Sequence, residues 1–139
     1  MSTPTQIFVN LPVKDLPRSR AFFESMGYGF NPQFSNDQGA CLVISDTIYA
    51  MLLTEPFFQT FTKKQIADAK KITEVLICLS CPSKAEVDSL IAKAVKAGGT
   101  TPSAAQDHGF MYSHSFEDLD GHVWELVHMD PNATPPNQG

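Results

Sequence analysis

"EDLDGHVWELVH", residues 117–128, is the stretch on which the reading of this chain turns. Its first half is turn chemistry. Aspartate side chains accept hydrogen bonds from backbone amides a residue or two further on, and glycine takes up conformations closed to other residues. The second half alternates, so that Trp124, Leu126 and His128 fall on one side of a strand and Val123, Glu125 and Val127 on the other. With "GFMYSHSF" (109–116) ahead of it, the turn closes a β-hairpin. Alternation then sets Trp124 and Glu125 on opposite faces, so that if Glu125 faces a cleft, Trp124 falls on the side where the helices pack.

Upstream of this hairpin lie "EVLICLS" (74–80), a strand, and a helix opened by Ser83-Lys84-Ala85-Glu86, which has capping-box spacing. Val87, Leu90, Ile91, Ala94 and Val95 recur at helical spacing until Gly98-Gly99 ends it. The same order stands in the first half. "QIFVNLPV" (6–13) reads as a strand, and "DLPRSRAFFESMG" reads as a helix that Asp15 caps, Pro17 starts and Gly27 stops. "GACLVIS" (39–45) and "TIYAMLLT" (47–54) then form a second hairpin. Offsets of about 70 pair Leu11 with Leu79, Gly27 with Gly98, Asp46 with Asp120, and Met51 with Glu125. Strand, helix and hairpin repeated in this order point to an internal duplication.

The halves define module 1 over 6–54 and module 2 over 74–130, within a single domain of 6–130, with 131–139 expected to be a disordered tail. The connecting segment 55–73 carries Phe57, Phe58 and Phe61, a lid or an interface, and a short helix is expected from Thr62.

A chain of 139 residues with 42% hydrophobic and 18% charged residues has enough apolar surface for a core without staples, which excludes a disordered chain. No apolar run approaches the roughly 18 residues a spanning helix requires, so no membrane is expected. A net charge of -5 argues against nucleic acid, whose affinity comes from clustered Lys and Arg. Three cysteines and a start without basic or apolar targeting character point to the cytoplasm. Cys78 and Cys81 form a C-x-x-C inside a strand, where they face opposite sides, and are expected to be buried thiols.

"NLPVKDLPRSRAFFESMGY" and "FEDLDGHVWEL" together resemble the opening strand and helix, and the closing hairpin, of the vicinal oxygen chelate superfamily. That superfamily groups glyoxalase I, bleomycin resistance proteins and extradiol dioxygenases. The resemblance implies an α+β fold of two βαβββ modules forming a curved mixed sheet around a cleft. It implies a small-molecule ligand and, in many members, a homodimer. It also implies a divalent metal such as Mn, Ni, Fe or Zn, held by one side chain on the first and last strand of each half.

Matched position by position, Glu125 stands at the carboxylate ligand. Phe8, Met51 and Leu76 stand at the other three positions, where they bring no hard donor. Displaced ligands would come from Glu74 and His114, beside Glu125. Pairing Phe116 with Val123 would set His114 opposite Glu125 as an acid/base pair, which makes Glu125 and His114 the candidate catalytic residues. The expected cleft lining is Phe8, Asn10, Met51 and Leu76, with Phe110 and Tyr112 from the second half. His122 is expected to be structural and His128 to pack against a helix. His108 lies on a loop that could reach the cleft mouth. Three functions follow, in this order: a binding protein without a full metal site; a metal-dependent lyase, isomerase or dioxygenase; and a metal-free enzyme with Glu125 as general base and His114 as proton carrier.

Overall fold

The computed structural model describes residues 2–132, so residues 133–139 of the expected tail lie outside the described residues. The chain divides into two compact units, one running to Asp68 and the other starting at Ala69. Each contains one βαβββ module.

In the first unit, strand β1 (Ile7–Val13) leads into helix α1 (Leu16–Ser25), followed by β2 (Gly29–Asn31), β3 (Gly39–Val43) and β4 (Ile48–Thr54). The four strands form one mixed sheet in the order β1-β4-β3-β2, with β1 parallel to β4 and the other pairs antiparallel. Asp15 caps α1 by accepting from the Arg18 amide at 3.1 Å. Leu16, Phe22 and Phe23 are buried, and each such side chain stabilises the fold by about 1.5–3 kcal/mol relative to exposure. Their sheet-side partners are Leu11, Ala40, Leu42, Ala50 and Leu52, all buried, on the face that the β1–β4 and β3–β4 registers bring together.

The second unit repeats the plan. Strand β5 (Leu76–Ser80), helix α3 (Lys84–Lys96), β6 (Gln106–Asp107), β7 (Met111–Glu117) and β8 (Val123–Met129) give the order β5-β8-β7-β6. Again the first strand is parallel to the last. Ser83 caps α3 by accepting from the Glu86 amide at 3.1 Å. Val87, Ile91 and Ala94 bury themselves, whereas Val95, included in the apolar stripe on spacing, stays exposed.

Both helices end in the same way. Tyr28 donates to the Phe23 carbonyl and Gly99 to the Ala94 carbonyl, while Gly27 and Gly98 hold φ of 99° and 110°. This left-handed termination, closed to most side chains, explains why glycine recurs at matching places in the repeat.

Two features differ from the sequence reading. Strands β2 and β6, only three and two residues long, fell in stretches read as loop, being too short to show any alternation. The short helix expected from Thr62 is not formed. Helix α2 (Glu55–Phe58) and a 3-10 turn (Gln59–Phe61) come earlier, because Pro56 suits a first helical turn. The Gln59 side-chain amide then donates to the carbonyls of Thr62 and Lys64 and folds the following chain back. Phe57 and Phe61 meet edge to face at 5.2 Å. Among the described residues no helix is long and apolar enough to cross a membrane.

Candidate functional site

The closing hairpin is built around one carboxylate. Asp118 is buried, and its Oδ1 accepts from the backbone amides of Asp120 and His122 at 3.0 Å each. Its Oδ2 accepts from the indole nitrogen of the buried Trp124 at 2.9 Å. Gly121 completes the turn with φ 90°. Burial raises the Asp118 carboxyl above its ordinary range, against the opposing pull of His122 and of the bonds from Trp124 and Asp120. His122 thus sits in the turn as expected.

From this turn β8 runs out as an inner strand, with β5 on one side and β7 on the other. Trp124 and Leu126 are buried on the face that packs against α3, together with Phe116, whose ring is parallel to the indole 6.3 Å away. His128 shares that side, half-buried, and its Nδ1–H donates to the Cys81 carbonyl at 3.1 Å. Glu125, one step out of phase, points from the opposite face and is half-buried.

The register across β7 differs from the pairing considered for the sequence. Phe116 lies opposite Trp124, not Val123, so Ser115 faces Glu125 and His114 faces Leu126. One residue of slip exchanges the faces of every side chain on β7, and burial of the Phe116 ring with Trp124 decides which register forms. On the other flank Cys78 pairs with Glu125. The Cys78 thiol is exposed, contrary to the expectation of a buried one, while Cys41 and Cys81 are buried. Its pKa is raised first by partial desolvation and then by the negative charge of Glu125, which marks the two as neighbours.

Over this face lies a concavity of about 200 Å³. Glu125, Ser113 and Ser115 form its floor, and Ser103, Gln106 and His108 its polar border, with Ala104 and Met111 supplying the apolar part. His108 and Gln106 are within 3.2 Å of each other through Nε2 and Oε1. The surroundings of Glu125 in this unit are therefore mostly polar, not the apolar pocket that the aligned positions suggested. His114 borders the concavity too. Its Nε2–H donates to the Ser103 carbonyl at 3.0 Å, which commits that nitrogen as a donor and ties the loop to β7.

The remaining expected residues fall elsewhere. Glu74 precedes β5, is exposed, and does not line the concavity. Tyr112 lies on the α3 side rather than beside Glu125, its hydroxyl donating to Asp88 of α3 at 2.6 Å and its strand partner being His128. Phe110 sits in the turn before β7, 6.4 Å from the His108 ring. Leu76 is exposed on the same sheet face as Glu125. In the first unit Phe8, Asn10 and Met51 share one face of their sheet, away from the buried Leu11 and Leu52, and Phe8 stacks on Tyr49 at 4.7 Å. Gln106 lies on the loop with His108 that the sequence places at a substrate-contacting edge, whereas nothing in the sequence points to Ser113, Ser115 or Cys78 as site residues. The β7–β8 register brings Ser115 to Glu125, the β5–β8 pairing brings Cys78, and the short β6 pairs Gln106 with Ser113.

The same sheet order twice, each with its first strand parallel to its last, matches solved structures along nearly the whole chain. A hypothetical protein from S. aureus, SA1046, is 27% identical with a TM-score of 0.76, covering 91% of this chain and 95% of that one. A glyoxalase/bleomycin resistance protein/dioxygenase family enzyme from Burkholderia phytofirmans PsJN, 16% identical, gives a TM-score of 0.74 over 88% and 97% of the two chains. This is the vicinal oxygen chelate fold. The fosfomycin resistance protein FosX from Listeria monocytogenes shares it at 19% identity and a TM-score of 0.67, over 94% and 96% of the chains. A family model, bleomycin resistance protein-like N-terminal, matches residues 5–45. No curated protein matches the sequence. The resemblance read from the two motifs to the vicinal oxygen chelate superfamily holds.

The divalent metal implied by that superfamily is not fitted by the residues present. Among the described residues no three of His, Cys, Asp and Glu come together as a metal-holding group. At the positions that the resemblance matches to the superfamily's ligands, Phe8 and Leu76 have no donor atom, Met51 offers only a soft thioether, and Glu125 alone brings a hard oxygen.

Proposed function

We propose that this chain is a small-molecule binding protein of the glyoxalase/bleomycin resistance kind. The ligand seats against Glu125 on the open face of the second sheet, without a full divalent metal site. The observation that carries the reading is the donor set around Glu125 in the second unit: one carboxylate among serine hydroxyls, a glutamine amide and two imidazoles, His108 and His114, with no second carboxylate among the described residues that line the concavity. Such a surface orients a ligand by hydrogen bonds, whereas a single carboxylate holds a hard cation weakly. The reading includes a homodimer in the cytoplasm, which sedimentation of the purified chain and fractionation of expressing cells would check.

The test is metal content. Untagged protein is dialysed in turn against Mn, Ni, Fe(II) and Zn, washed, and analysed beside Glu125→Gln. The expected result is no stoichiometric metal in either protein, and small molecules that raise the melting temperature of the wild type. A metal retained at one per chain and lost in Glu125→Gln would overturn the reading in favour of a metal-dependent lyase, isomerase or dioxygenase, with Glu74 and His114 as the displaced ligands to examine next.

A further inference from the structure

The charges around the concavity select among ligands. Glu125 supplies a half-buried carboxylate at its floor, and no lysine or arginine is among the described residues that line it. The hydroxyls of Ser113 and Ser115, the Gln106 side chain and the Ser103 backbone offer further acceptors and short-range donors. Glu125 sits beside its cross-strand partner Cys78, whose thiol is pushed up first by burial and then by this negative charge. An anionic group would meet this carboxylate with no lysine or arginine to offset it, while a cation would replace lost water with charge-assisted hydrogen bonds. The volume of about 200 Å³ is below the usual range for a drug-sized molecule, so it takes one polar portion of a ligand.

Resting on the binding reading above, we infer that the concavity takes a protonated amine or guanidinium carried on a small hydroxylated skeleton, and rejects phosphonates and carboxylates. The cation meets Glu125, and the skeleton's hydroxyls meet Ser113, Ser115 and Gln106. The FosX proteins share this fold, but a phosphonate such as fosfomycin finds no lysine or arginine among the described residues that line this concavity.

The experiment is an NMR fragment screen on the full chain, using matched triplets: an amino sugar or amino alcohol, its neutral N-acetyl counterpart, and the phosphonate of the same skeleton. Amide shifts of Ser113, Ser115 and Glu125 report occupancy. The expected result is that hits concentrate among the amines, phosphonates give none, and Glu125→Gln weakens the amines by roughly tenfold or more while its own spectrum stays dispersed. Ser115→Ala, which leaves the charge in place, should weaken them less. Neutral and cationic members binding alike, or amines unaffected in Glu125→Gln, would overturn the inference and leave the binding reading standing. If no member of any triplet shifts these amides, both the inference and the placing of a ligand on this face are overturned.

Discussion

The indole Nε1–H of Trp124 donates to Oδ2 of Asp118 at 2.9 Å, closing the last hairpin from inside the core. One carboxylate thus serves three donors, two of them amides of its own turn. Asp118→Ala would leave a buried indole N–H without its acceptor and empty the turn. A loss of about 2–4 kcal/mol is expected in urea unfolding, with Asp118→Asn milder because it keeps one acceptor oxygen.

The same residue sets a pH dependence. Burial raises its folded carboxyl above the roughly 3.9 of an unfolded aspartate, so the proton binds more tightly to the folded chain. Its contribution is fully present below the unfolded value and is lost as pH rises through the folded one. Unfolding measured from pH 4 upward should therefore show a fall in stability that is absent from Asp118→Asn. An identical profile in the two proteins would contradict this.

Gly121 marks a place where no side chain fits. A Cβ there would stand 2.7 Å from the Lys70 nitrogen and 2.8 Å from the Ala69 carbonyl carbon, at a φ of +90°. Gly121→Ala should lower stability by about 1–3 kcal/mol or more, since both the backbone conformation and the clash oppose it. Gly29→Ala meets nothing within 4 Å and should change the melting temperature little.

Core and open face of the second sheet should respond differently to truncation. Phe116→Ala, at 2% exposure, is expected to cost about 3–5 kcal/mol by leaving a cavity beside Trp124. Leu76→Ala, at 57% exposure, should fall within about 0.5 kcal/mol of wild type. Paired denaturation curves decide it.

Alkylation by iodoacetamide should find one reactive thiol. Cys78 is exposed, while Cys41 and Cys81 are buried with thiols that desolvation pushes up. Near pH 8 the Cys78 rate should rise in Glu125→Gln, because the neighbouring negative charge that holds its proton is gone. The rise should be modest, burial being the larger cause. An unchanged rate would mean that Glu125 and Cys78 do not sense each other.

Much of the fold was legible in local chemistry. Asp15 and Ser83 cap the helices they were expected to cap, Gly27 and Gly98 terminate them, and alternation in "HVWELVH" placed Trp124 inside and Glu125 on the other face. Such signals are readable because each depends on residues within one turn or a few steps of the strand. The site was less legible: Ser115 rather than His114 opposite Glu125, the exposure of Cys78, and the arrival of Gln106 through a two-residue strand.

What the sequence by itself determined is therefore the order of the longer strands and the two long helices, where those helices begin and end, the repeat, and the side of the strand from which Glu125 projects. Only the tertiary structure decided what surrounds that carboxylate. Strand register and edge pairing are settled by contacts between residues far apart in the chain, here the burial of Phe116 with Trp124 against α3. A shift of one residue there exchanges a histidine for a serine across from Glu125.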